Sequence, residues 1–332
     1  MRRPALASMM LLLAFQAHAQ FQESITVERI LLDVRVTDAK GSPISDLIAA
    51  DFSVTLGGKD AKVESVTWID EVLPIEKMEE GVELPPGRLI VVFVQTDFGR
   101  NSARVTGQMH FQSFAEKMID ALQPNDRVAV FSFDSHLKFR LDFTSNKSAV
   151  QTAIRDSMLT NEPPWPQLVP NPALASRLNP KELKDSPDSE TALIHVANAL
   201  RPIEGPKTLL LLGWGLGQRS GSFVTMKPKW PIARHALEAS RVSIFALDTT
   251  FADYHDLEIG LGAAAKQTGG FYAKTHEFPQ LAIDRLQRTL TGHYELELRR
   301  PNELKPGTHE LNVRVSRRGA MVLAPSAWMD RK

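Results

Sequence analysis

Between residues 29 and 37 apolar and polar side chains alternate, with Leu32, Val34 and Val36 set among Asp33, Arg35 and Thr37. Period two with β-branched residues predicts a strand with one wet face over 25–37. Residues 52–56 and 61–69 predict further strands on either side of Gly57-Gly58. Near the other end, 293–300 and 309–316 alternate again, and 321–323 predicts a last short strand. Neither end carries enough strands to bury a core alone. We therefore expect 20–72 and 291–325 to pair into one small β-sandwich, with everything between them inserted.

The middle of the chain has a different rhythm. Residues 88–94, 127–133, 208–212 and 242–247 are continuous apolar runs, as in strands buried on both faces. Val105, Met109, Phe114, Met118 and Leu122 follow helical spacing, and further helices are predicted over 146–157, 190–200, 232–240, 257–268 and 280–290. Residues 137–143 read as an edge strand and 271–273 as a short final one. Buried strands alternating with helices predict an α/β unit over 88–290, a doubly wound and mostly parallel sheet covered on both faces, reached through a linker at 73–87. Within it, 161–189 is proline-rich and holds Trp165 in Pro163-Pro164-Trp165-Pro166, which predicts a long loop without helix or central strand.

The N-terminus changes how the composition reads. Arg2 and Arg3, an apolar run over 5–15 and Ala17-His18-Ala19 form the pattern of a secretory signal peptide over 1–19. No later apolar run approaches ~18 residues, so no membrane span is expected in the mature chain. The 39 Lys+Arg and 39 Asp+Glu become 37 against 39, or −2, once Arg2 and Arg3 are removed. That balance argues against nucleic acid held by counterion release. The chain has no cysteine, which excludes disulfides, thiolate nucleophiles, Cys-ligated zinc and Fe–S clusters. An exported protein without disulfides relies on its core, which suits a bacterial periplasmic or secreted location.

Several short stretches then fall into a recognisable order: 31–41 with Ala50-Asp51-Phe52; 126–131; Asp142-Phe143-Thr144; Thr191-Ala192-Leu193; 207–211; 244–248; 268–272; and 293–296. Their order resembles a von Willebrand factor A-like (VWA) domain, and in particular the VWFA-related proteins of acidobacteria, over roughly residues 25–325. The resemblance implies a ligand face at the carboxyl ends of the sheet strands. In many such domains that face holds a divalent metal, through an Asp-x-Ser-x-Ser loop, a Thr in a second loop and an Asp after the fourth strand.

This sequence departs from that pattern at the ligand positions. Gln95 stands at the leading Asp, Asp97 and Gly99 at the two Ser positions, and Gly213-Trp214-Gly215 where Thr-Asp-Gly is expected; Thr191 is retained beside Ser189 and Glu190. A hard dication wants one or two carboxylates among its oxygen ligands. We therefore expect no functional metal site and no cofactor. The alternative is a metal-dependent adhesion protein with the site shifted by two, led by Asp97 with Gly99 and Asn101 following.

Without a metal, the same face is a candidate surface for recognising another protein, comprising Gln95, Asp97, Arg100, Asn101, Trp165, Ser189, Glu190, Thr191, Trp214, Gln218 and Arg219. Trp214 either stands exposed there or folds inward to plug the vacated pocket. Trp165 is either an anchor whose ordering cost is lowered by its prolines or part of a solvated loop. Enzyme signatures are weak: there is no H-E-x-x-H, Ser220 falls one place late for G-x-S-x-G, and Asp134-Ser135-His136 has triad residue types without a reason for triad geometry. The expectation is a non-enzymatic binding module, with a structural envelope scaffold or a cryptic hydrolase as rivals.

Overall fold

The computed structural model describes residues 29–72, 87–99, 101–159, 161–170 and 172–330. The expected signal peptide over 1–19, nearly all of the 73–87 linker, and Arg100 lie outside the described residues. Among the described residues no helix is long and apolar enough to cross a membrane.

The chain opens with β1 (Arg29–Thr37), β2 (Phe52–Leu56), β3 (Lys59–Ala61) and β4 (Val63–Asp70). Next come β5 (Leu89–Gln95), α1 (Ser102–Asp120), β6 (Arg127–Phe133), β7 (Leu137–Thr144), α2 (Lys147–Asp156), α3 (Pro180–Lys184), α4 (Ser189–Leu200) and β8 (Lys207–Gly213). A hairpin of β9 (Gln218–Ser220) and β10 (Phe223–Thr225) leads to α5 (Trp230–Ala239), β11 (Val242–Asp248), α6 (Glu258–Gln267), β12 (Tyr272–Lys274) and α7 (Pro279–Thr289). The chain closes with β13 (Gly292–Arg299), β14 (Gly307–Val315), β15 (Met321–Leu323) and β16 (Ala327–Asp330).

The two ends of the chain build a common unit. One four-stranded sheet has the order β15-β1-β13-β4, the other β16-β14-β2-β3. Antiparallel pairing sets Leu32 opposite Leu296 and Val34 opposite Tyr294, and in the second sheet Val54 opposite Val313. The inward faces of both sheets share one apolar core that includes Leu32, Val34, Val54, Leu56, Leu296 and Leu311. Tyr294 is buried at its centre, with the rings of Phe52 and Trp68 edge-on at 5.2 and 4.9 Å. Its hydroxyl donates to Ile44 O at 2.7 Å and accepts the Leu47 N–H at 2.9 Å, which satisfies two backbone groups of the turn after β1.

The inserted part is a six-stranded sheet of order β12-β11-β8-β5-β6-β7. All neighbours are parallel except β7, which returns antiparallel along β6 at the edge. Alternation along each strand assigns its residues to two cores. Val91, Phe93, Phe131, Leu209, Leu211 and Ile244 pack towards α4, α5 and α6. Val92, Val130, Leu210, Leu212 and Phe245 pack towards α1, α2 and α7. Burial on both faces is why these strands lack polar alternation in the sequence.

Four local expectations change. The buried face of α1 is Gly107, Gln108, Phe111, Ala115, Met118 and Ile119, while Met109 is exposed. Hydrophobicity misphased this helix because its closest approach is made by a glycine: a Cβ on Gly107 would lie 1.7 Å from Thr249 O. The proline-rich segment contains one turn of helix, α3, where Asn179 accepts the Lys181 N–H at 3.0 Å and Pro180 takes the first position, which needs no N–H. The middle of that segment is held by the buried Asp142 carboxylate, which accepts the N–H groups of Leu174 and Ala175 at 2.9 Å each. Beyond residue 325 the chain continues into β16, and the 217–225 stretch forms a hairpin that the alternation did not announce.

Candidate binding face at the strand ends

Strand order reverses between β5 and β8, so the crevice of this open sheet lies beyond their carboxyl ends. Gln95 closes β5 there and is 1% exposed. Its Nε2 donates to Ser189 Oγ and to Gly215 O, both at 2.9 Å, and its Oε1 accepts the N–H groups of Trp214 at 3.0 Å and Gly215 at 3.3 Å. Gly213 makes room for it, since a Cβ there would lie 2.2 Å from Gln95 Oε1. One amide thus ties together the ends of β5 and β8 and the start of α4.

Asp188 caps α4 by accepting both the Thr191 N–H at 2.8 Å and the Thr191 hydroxyl at 2.6 Å. Burial opposes its ionisation, but these bonds and the nearby Lys227 hold its carboxyl below the usual range. Glu190 is buried beside it. Its Oε1 accepts the Gly217 N–H at 2.9 Å, and its Oε2 lies 3.4 Å from Lys227 Nζ.

Trp214 is half-buried. Its indole N–H donates to Asp97 Oδ1 at 2.9 Å, and the Arg104 guanidinium lies over its ring, 3.3 Å from the centroid. Burial pushes the Asp97 carboxyl up to about 6, against the pull of the Trp214 N–H and of Arg104. The ring is therefore neither free in solvent nor folded into the core, but clamped between an acid and a base at the crevice mouth. Asn101 caps α1, the helix that carries Arg104, by accepting the Arg104 backbone N–H at 3.3 Å.

The remaining expected residues divide in two. Gln218 and Arg219 are exposed on β9, where Arg219 Nε lies 3.1 Å from Asp256. Trp165 meets Phe139 of β7 edge-on at 5.5 Å, and its ring contact is with that strand rather than with the Trp214 cluster. Arg100 lies outside the described residues. Sequence reasoning missed Arg104, Lys227 and Phe223. Phe223 opens β10 at 76% exposure, across a two-residue turn in which Gly221 has φ +62. Gly217 and Gly221 bracketing three residues, followed by Phe-Val-Thr, is the signal that could have found the hairpin.

Side chains at the expected metal positions bond to other protein groups. Gln95 Oε1 faces two N–H groups, Asp97 faces the Trp214 N–H, and the Thr191 hydroxyl is turned to Asp188. Among the described residues, two other groups bring together three metal-capable side chains each: Asp248, His255 and Glu258, and Asp253, His276 and Glu277. In the first, Asp248 Oδ2 is 2.8 Å from the Tyr272 hydroxyl and 2.7 Å from His255 Nε2, and Lys274 Nζ lies 2.8 Å from Glu258. Burial and the Asp248 charge hold the Tyr272 hydroxyl well above its usual range. Protein donors thus supply the positive side of that network.

Asp134-Ser135-His136 has more geometry than adjacency implied. Ser135 Oγ lies 3.0 Å from His136 Nδ1, and His136 Nε2 lies 2.9 Å from Glu162. Ser135 Oγ also donates to Asp134 Oδ1 at 3.1 Å, and the serine stands exposed on the turn between β6 and β7.

No family model and no curated protein matches the chain. Among solved structures, a von Willebrand factor type A protein from Catenulispora acidiphila overlaps 90% of this chain and 72% of its own, at 9% identity and a TM-score of 0.43. An aerotolerance-related membrane protein from Bacteroides fragilis overlaps 61% of this chain and 96% of its own, at 13% identity and TM-score 0.42. Proximal thread matrix protein 1 from the mussel byssus overlaps 63% of this chain at 16% identity and TM-score 0.40; this chain spans 49% of that protein's length.

Proposed function

We propose that this chain is an exported, non-enzymatic recognition protein of the acidobacterial VWFA-related kind, acting in the bacterial periplasm or outside the cell. In this reading a doubly wound, VWA-like sheet is inserted between the two halves of a small β-sandwich. The crevice beyond β5 and β8 recognises another protein without a divalent metal. The observation that carries the reading is the clamp of Gln95, Asp97, Arg104 and Trp214, which occupies the expected ligand positions with internal hydrogen bonds and one cation. A dication would have to break those bonds and face Arg104, a net loss for an ion that needs carboxylate oxygens. What the face offers instead is Trp214 at the crevice mouth and, on the β9–β10 hairpin, the exposed Phe223 and Arg219, residue types that dominate contact energies.

The test is affinity capture from envelope extract with wild type, Phe223→Ser and Arg219→Ala, each with and without EDTA. A partner held by wild type, indifferent to EDTA and released by Phe223→Ser is the expected result. Loss of the partner in EDTA would instead favour the metal-dependent adhesion reading through Asp97. The cryptic-hydrolase rival has one specific observation behind it, the Ser135–His136–Glu162 chain. Turnover of p-nitrophenyl acetate that disappears in Ser135→Ala would overturn the non-enzymatic reading.

A further inference from the structure

At the opposite ends of the central strands, the inserted part is clamped to the sheets built by the chain termini. Arg241, between α5 and β11, is a non-glycine residue at φ +53. Its guanidinium donates to Asp33 at 2.8 and 2.6 Å and to Glu295 at 2.9 Å, which ties the turn to β1 and β13. The last strand lies along α5, where the Met329 N–H donates to Glu238 Oε1 at 3.3 Å. Between these two attachments is a cavity of about 320 Å³, walled by Leu31, Pro231, Ile232, Leu311 and Trp328. Leu31 and Ile232 are left 53% and 58% exposed. Both residues belong to regular elements, β1 and α5, so the apolar wall is held by secondary structure rather than by loops.

The charges around this chamber are nearly all spent. Asp33 and Arg241 neutralise each other, and Glu238 takes the Met329 N–H and lies 3.4 Å from His235 Nδ1. Arg234, one residue before His235 on α5, lines the cavity with no hydrogen bond or ion pair among the described residues. An apolar chamber between two units, with Arg234 the cation in its lining that has no partner among the described residues, has the composition of a small-molecule site.

We propose that this cavity binds an amphipathic monoanion, an unbranched carboxylic acid whose apolar chain packs on Leu31, Ile232, Leu311 and Trp328 while its carboxylate pairs with Arg234. At roughly 30 Å³ for each water-sized group, the cavity volume holds a chain of about ten such groups. The planar guanidinium donates two parallel bonds to a carboxylate, which selects it over an alcohol or an ammonium head. Such a ligand bridges β1, α5 and β16, and so links the clamp of the two units to occupancy. The site is remote from Trp214, and its failure would leave the recognition reading untouched.

The experiment is calorimetric titration of the full chain with decanoate, 1-decanol and decyltrimethylammonium, each below its micellar concentration. Saturable one-to-one binding of decanoate, at least tenfold tighter than 1-decanol and with no binding of the ammonium, is expected. Arg234→Gln should bring decanoate down to the level of 1-decanol, and Ile232→Asp should abolish both. Either substitution is at a position that solvent reaches, and an unchanged melting temperature verifies the fold; Leu31→Asp repeats the test from the other wall. Absence of saturable decanoate binding to wild type overturns the proposal. So does equal affinity for 1-decanol, or an Arg234→Gln variant that binds decanoate as well as wild type.

Discussion

Replacing Gln95 by Glu changes one atom of the amide that closes the crevice. Oε1 keeps its two acceptor bonds from the Trp214 and Gly215 N–H groups. The second oxygen, however, now stands where Nε2 donates to Gly215 O at 2.9 Å. The Ser189 hydroxyl can rotate and donate, but a carbonyl cannot. In a site 1% exposed, the new side chain therefore has two options: to bury a charge against a carbonyl oxygen, or to keep its proton and donate it. The second costs less, so the folded pKa of the introduced carboxyl lies above the unfolded value of about 4.3. A raised acid contributes its stability fully below the unfolded pKa and loses it as pH rises through the folded one. While the proton is retained, the loss is about 1.4 kcal/mol per pH unit, or about 2–3 kcal/mol between pH 5 and pH 7. Gln95→Ala is the control. It leaves up to three buried backbone groups without their side-chain partner at about 1–3 kcal/mol each, partly offset by entering water, for about 2–4 kcal/mol with no dependence on pH. Urea unfolding followed by tryptophan fluorescence at pH 5, 6 and 7 measures both as differences from wild type, so that titrations common to the two proteins cancel. A Gln95→Glu difference that stays constant from pH 5 to pH 7 would refute the reasoning.

Asp97 carries a related effect in the natural protein. Its carboxyl, raised to about 6 mainly by burial, gives the folded state stability that is present below about pH 4 and lost as pH rises through 6. Asp97→Asn keeps an acceptor for the Trp214 N–H and removes that loss. Its melting temperature relative to wild type should climb between pH 4 and pH 7, by the equivalent of about 2 kcal/mol after discounting for partial solvent access; a flat difference counts against it. In the terminal sheets, Tyr294→Phe strands the Leu47 N–H and the Ile44 carbonyl, and should cost about 2–3 kcal/mol in urea unfolding. A loss below about 0.5 kcal/mol would mean that water replaces the hydroxyl there.

Much of the architecture was legible because burial leaves a period in the chain. Alternation in 29–37 and 293–300 marked strands with one wet face, and the runs at 88–94 and 208–212 marked strands covered on both sides. Legibility failed where the decisive residue has little hydropathy. Gly107 sets the approach of α1 to the loop after β11, and Gly217 and Gly221 shape the hairpin that presents Phe223. At the candidate face, Gln95, Asp97, Ser189, Glu190 and Trp214 could be named from the resemblance to a VWA domain. Their partners could not, because Arg104 and Lys227 come from α1 and from the chain after β10.

The sequence by itself determined the type and order of most of the elements, α3, the β9–β10 hairpin and β16 excepted, since local periodicity is a property of short stretches. Only the tertiary structure decided how Trp214 is held, with its N–H on Asp97 and its ring under Arg104, and that an apolar cavity lined by Arg234 lies between the two units. Those outcomes depend on contacts between distant stretches, where close packing, and not composition, chooses which groups meet.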